Sequence, residues 1–139
     1  IEVRTQPYGS ATPFQPVLEI MRILFGIQPS VDASHARDRV ATSLARIGPN
    51  LDGTYELICE FLGIAENAAS SALAPKTRHA YLLDVMSHLI RDRGKSPLVI
   101  LFEDLHWLDE ASEGFVETIC TAISGTQVLL IVNYRPNYS

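Results

Sequence analysis

Cysteine is scarce: Cys59 and Cys120, the 2 in the chain, stand far apart with no CxxC spacing, so neither a disulfide framework nor a thiolate zinc site is indicated. Each reads as a small buried hydrophobe. His35, His79, His88 and His106 are scattered rather than clustered. Long apolar runs are missing too. Stretches such as Leu98 to Phe102 and Val128 to Val132 fall far short of the ~20 residues that cross a bilayer, so no membrane partner is expected. Basic residues are in deficit, 11 Lys and Arg against 16 Asp and Glu for a net charge of −5. No basic run is available to neutralise a row of phosphates, which argues against direct nucleic-acid binding. The first residue is Ile1 rather than Met, and no charged segment followed by an apolar one resembles a secretory leader. The expectation is one fragment, residues 1 to 139, of a longer cytoplasmic protein, in which the sequon at Asn137-Tyr138-Ser139 goes unused.

The 139 residues, 47% of them hydrophobic, suffice for one modest core and not for two domains. Ile1 to Thr5 alternates apolar and polar residues, as a short strand does. Pro7, Gly9, Ser10 and Pro13 then break the pattern, and turn geometry alone accounts for Tyr8-Gly9-Ser10. From Phe14, Val17, Leu18, Met21, Leu24 and Phe25 recur at helical spacing, with Gly26 to end the helix. Asp32 or Ser34 is the cap of a second helix bearing Val40, Leu44 and Ile47, stopped by Gly48 and Pro49. Thr54 precedes a short helix carrying Leu57, Ile58 and Phe61 and closed by Gly63. Ala68 to Ala74 reads as loop or ragged helix. Pro75 suits the first turn of a long helix on which Leu82, Val85 or Met86, and Leu89 repeat, with Arg91, Arg93 and Gly94 at its end.

After Pro97 the pattern changes. Leu98 to Phe102 is apolar without alternation, which predicts a strand covered on both faces in a parallel sheet. Asp109 caps the next helix, with Phe115, Val116, Ile119 and Ile123 inward and Ser124-Gly125 at its end, and Val128 to Val132 repeats the buried-strand pattern. Strands and helices in this order predict an α/β unit.

Glu103 and Asp104 follow the apolar run directly. A parallel strand delivers its last residues to the carboxyl edge of the sheet, where ligands collect in α/β folds. Two adjacent carboxylates there are costly without a cation, and a metal-bound phosphate supplies one; the plainer reading is a solvated turn. Arg93-Gly94-Lys95-Ser96 imitates the end of a phosphate-binding GxxxxGK[ST] loop, but Leu89 stands where its first glycine belongs. Its context is also reversed, helix before and strand after, so it reads as a decoy. Trp107 reads as core packing, and His106 as a supporting residue rather than a general base.

The stretch LVILFEDLHWLDEAS, Leu98 to Ser112, resembles the Walker B region of the STAND class of P-loop NTPases, relatives of AAA+ ATPases. The matching residues are Glu103, Asp104, Leu105-His106-Trp107 and Asp109. The later VLLIVNYRP resembles that class's next core strand, which delivers a sensor arginine, here Arg135. RTQPYGSATPFQPVLEIMRILFGI resembles the segment after the strand that follows the P-loop helix. The likeness is greatest to the ATPase region of bacterial multidomain adenylate/guanylate cyclases; related modules occur in kinases and LuxR-type regulators.

The resemblance implies an α/β fold, part of a three-layer P-loop NTPase-like domain. Its three-stranded parallel sheet has the Walker B strand central, an α-rich insertion lies between the first and second strands, and the Walker A strand and loop are absent. It implies ATP and Mg²⁺ as cofactors of the intact parent, with none bound to the fragment. Glu103 would be the Mg²⁺-side carboxylate, although Asp is more usual there. Asp104 would stand beside the metal and orient the hydrolytic water, and Arg135 would approach the γ-phosphate. The function implied is a regulatory ATP-binding module of a bacterial signalling protein, not competent for hydrolysis alone. A helical protein-interaction module centred on Phe14 to Arg93 is the alternative. Partners would be the other domains of the parent and, through the unpaired edge of Val128 to Val132, a second copy of the chain.

Overall fold

The three segments that lack helical spacing pair into one sheet. In the computed structural model, which describes residues 1–5, 13–48, 53–67 and 73–136, these are β1 (Glu2–Arg4), β2 (Leu98–Glu103) and β3 (Val128–Val132). Their order is β1-β2-β3 and both pairs are parallel. The central position of β2 and the parallel sheet agree with the expected fold class. Tyr8-Gly9-Ser10, most of the Ala68 to Ala74 run and the terminal sequon lie outside the described residues.

Parallel neighbours need crossovers. Between β1 and β2 run α1 (Gln15–Leu24), α2 (Ala33–Ile47), α3 (Thr54–Phe61) and α4 (Pro75–Arg93), and α5 (Glu110–Ala122) joins β2 to β3. Their limits follow from local chemistry. The Asp32 carboxylate accepts the His35 amide at 2.9 Å, and the Asp109 carboxylate accepts the Ser112 amide at 3.0 Å, each satisfying a donor that the first helical turn leaves free. Thr54 does not precede its helix: it is the first helical residue, and the left-handed Gly53 (φ 84°) makes the entry. Gly94 ends α4 for a different reason, since a Cβ there would meet Thr126 and Val128 side chains at 2.7 Å. Close approach of the helix end to the start of β3 is what admits only glycine.

The core is one cluster. Ile20, Met21 and Leu24 of α1, Val85, Met86, Leu89 and Ile90 of α4, and Phe115 and Ile119 of α5 close over Val3, Ile100 and Phe102 of the sheet. Phe14, in the left-handed region at φ 64°, is held edge-on against Phe61 and Phe115, with ring centroids 5.7 and 5.8 Å away. These contacts tie α1, α3 and α5 together at one corner.

Cover on both faces of β2 is not what the structure has. Ile100 and Phe102 are 0% and 2% exposed, whereas Val99, Leu129 and Ile131 are 49%, 56% and 44% exposed. Successive side chains on a strand point to opposite faces, and the described helices cover the face of Ile100 and Phe102. An unbroken apolar run says that both faces suit burial; it does not say that both are covered.

Candidate functional site

The carboxyl edge of the sheet is built around a turn gripped from both sides. Asp104 leaves β2 in the left-handed region (φ 60°, ψ 37°), which short polar side chains tolerate better than most. Asn133, just past β3, embraces that turn with its whole amide framework. Its backbone N–H donates to the Phe102 carbonyl at 3.0 Å, its backbone carbonyl accepts from the Leu105 N–H at 3.0 Å, and its side-chain oxygen accepts from the Asp104 N–H at 2.6 Å. From the β1 side, the Thr5 N–H donates to the Glu103 carbonyl at 3.1 Å, and the Thr5 hydroxyl donates to the carbonyls of Glu103, at 3.2 Å, and of Asp104. Bonds on both flanks stabilise a backbone angle that costs about 1–2 kcal/mol by itself.

The two carboxylates at this edge differ. In the β1–β2 register Arg4 stands opposite Glu103. Its Nε donates to Glu103 Oε2 at 2.8 Å, and a second guanidinium nitrogen reaches the same oxygen. The hydrogen bond to Glu103 and then its charge raise the Arg4 pKa, against the lowering effect of desolvation, and Glu2 and Asp104 add smaller contributions. The Asp104 carboxylate has no hydrogen bond or ion pair among the described residues. Arg4 was not singled out from the sequence. The signal was a polar position ending an edge strand, which becomes informative only once the register sets it beside Glu103.

Beyond Asp104 a single 3₁₀ turn, Leu105–Trp107, carries the two rings of the sequence motif. The His106 and Trp107 rings are tilted together with centroids 5.1 Å apart. Trp107 is not the core residue expected. It is partly buried and carries the Arg135 guanidinium 5.8 Å from its ring centroid, a cation–π distance. Arg135 thus reaches the same edge as the acidic pair but makes no ion pair with Glu103 or Asp104 among the described residues. Both His106 ring nitrogens are buried without a hydrogen-bond partner among the described residues. Lys95 of the GKS-like tripeptide sits before β2, at the opposite end of that strand, with its ammonium 3.1 Å from Asp92. The decoy is no part of this edge.

The donor set bears on what the edge can hold. Among the described residues no group of three or more His, Cys, Asp or Glu is arranged to hold a metal ion unaided. A magnesium ion takes most of its oxygen ligands from phosphate and water and needs only one or two carboxylates. One unpartnered carboxylate, Asp104, beside an arginine-paired one, Glu103, suits a metal that arrives with a nucleotide. No helix among the described residues is long and apolar enough to cross a membrane.

A family model of the AAA ATPase domain matches residues 1–132, nearly the whole chain. Glu103 and Asp104 fall inside that match and Arg135 just beyond it. No curated protein and no solved structure matches the chain.

Proposed function

Because the chain belongs to the AAA ATPase domain family, we propose that it is the acidic-pair half of a regulatory ATP-binding module, with the nucleotide at the carboxyl edge of β2. Membership of the family implies nucleotide and Mg²⁺ binding in the intact protein. The observation that carries the reading is the acidic pair ending the central parallel strand, in a turn clamped by Thr5 and Asn133. Bound Mg²⁺-ATP would supply the reacting phosphoryl group, whose transition state spreads negative charge over its oxygens.

Asp104 is the carboxylate free to face the metal and orient water. The Glu103 carboxylate is engaged by Arg4 and would have to exchange that partner to stand on the metal side. Arg135, held over Trp107, would supply positive charge toward the phosphate. Held by Asn133 and Thr5, the Asp104 backbone needs no rearrangement when ligand arrives, which is the form in which fixed charges are most effective. The parent we propose is a bacterial signalling protein of the STAND class, with a nucleotide cyclase output ahead of a kinase or a LuxR-type regulator. The 139 residues alone bind ATP weakly and do not hydrolyse it, for want of a phosphate-cradling loop among them. The exposed edge and face of β3 associate with a second copy of the chain.

The test is Asp104→Asn in the full-length protein. ATP turnover is expected to fall about 100-fold with the circular dichroism spectrum unchanged. Unchanged turnover, together with lost binding to a partner protein when the helices from α1 to α4 are altered, would replace this reading with that of a helical interaction module.

A further inference from the structure

A second concave site lies at the other end of the sheet. The end of α1, one flank of α2 and the last turn of α4 enclose a cleft of about 590 Å³, within the range of small-molecule sites. Because α4 ends where the chain turns into β2, Arg93 stands at the amino end of that strand. At about 3.3 Å per residue, β2 puts roughly 17 Å between Leu98 and Glu103. The cleft is separate from the acidic edge.

Its lining carries three arginines against two acids, one of which, Asp38, has no ion pair or hydrogen bond among the described residues. Arg39, Arg46 and Arg93 all face it. Arg46 is oriented by Asp92, with Nε at 2.9 Å from the carboxylate, and uses only part of its fork of donors there. Arg39 and Arg93 have no ion pair or hydrogen bond among the described residues. The acids that share the lining are Asp32 and Asp38, and Asp32 is committed to capping α2 and to the His35 ring nitrogen at 2.7 Å.

Two further features shape the cleft. Ser43, only 6% exposed, lines the cleft, and its hydroxyl has no hydrogen-bond partner among the described residues yet is not a buried atom, so it opens to solvent. Gly26 is left-handed (φ 74°), and a Cβ on it would come within 3.2 Å of an Arg39 guanidinium nitrogen. The bare glycine therefore leaves room for the Arg39 head over the turn that ends α1.

We infer that this cleft binds a small organic phosphate. Guanidinium forks match phosphate oxygens in pairs, and Arg39, Arg93 and the spare donors of Arg46 meet there with the hydroxyls of Ser43 and Thr42. A monocarboxylate would leave most of those donors unused.

Inorganic pyrophosphate and citrate are the probes, titrated into the ¹⁵N-labelled chain and followed by amide NMR. Pyrophosphate is expected to shift Gly26, Arg39 and Ser43 and to weaken with added salt. The double variant R39S/R93S is expected to lose about tenfold or more in affinity, and R39K/R93K to fall between it and the wild type. Both arginines are exposed, so the amide dispersion should be kept. Asp104→Asn should bind as the wild type does, whatever becomes of ATP turnover. Citrate binding as tightly as pyrophosphate would overturn the phosphate assignment. Shifts at Asp104 and Leu105 instead of the cleft, no shifts at all, or equal affinity in R39S/R93S would overturn the site.

Discussion

The two faces of the sheet come from the same apolar strands and have different fates. On one, Ile100 and Phe102 are sealed beneath α1, α4 and α5; on the other, Val99, Leu129 and Ile131 remain half exposed. Their residue types are interchangeable, so the difference is not in hydrophobicity. It lies in what packs against each face, and the energetic weight of a strand residue follows the cover and not the side chain.

Substitution separates the faces most directly. Phe102→Ala is expected to cost about 3–5 kcal/mol, as a large core side chain does, while Val99→Ala in the same strand should stay within about 1 kcal/mol. Urea unfolding of both variants measures this, and equal losses would mean that the Val99 face is covered in solution. A smaller effect is electrostatic and belongs to the covered layer, where the end of α4 is fastened to α2. Burial pushes the Asp92 pKa up, but the hydrogen bond from Lys95 and the charge and hydrogen bond of Arg46 outweigh it and hold the carboxyl below its ordinary value. A depressed folded pKa adds stability that is complete above the unfolded value near 4 and is lost as pH falls through the folded value. Asp92→Asn should therefore cost about 0.5–1 kcal/mol at neutral pH, given the exposure of the Arg46 partner, and should flatten the stability profile on the acid side. Thermal melts across that window check the sign. Least of all in stability terms, Leu129→Lys with Ile131→Lys should shift unfolding by no more than about 0.5 kcal/mol. The same pair should lower the apparent mass in light scattering toward that of a single chain. Unchanged association would remove the open face from the account of self-association.

Much of the architecture was legible because it rests on near neighbours in the chain. Asp32 and Asp109 announce their helices since a cap acts over three residues. The apolar runs announce β2 and β3, and the reversed order of helix and strand around Lys95 exposes the GKS imitation. What was not legible depends on partners distant in sequence. Arg4 pairs with Glu103 only through the β1–β2 register. Asn133 grips Asp104 only because β3 lies beside β2, and Arg135 is parked on Trp107 by the same juxtaposition. Thr54 reads as a helix-preceding residue because its type favours caps, yet the left-handed Gly53 makes the turn and leaves Thr54 buried in the first turn of α3.

By itself, then, the order of the amino acids determined the α/β class, a parallel sheet and the position of the acidic pair at a strand's end, while the central place of β2 followed only from the family resemblance. Periodicity, capping and strand polarity are properties of short stretches of chain. Tertiary structure alone decided which face is covered, which of the two carboxylates is already paired, and which arginines converge on a cleft. Those outcomes depend on groups brought together from remote positions, and short-range pattern carries no information about them.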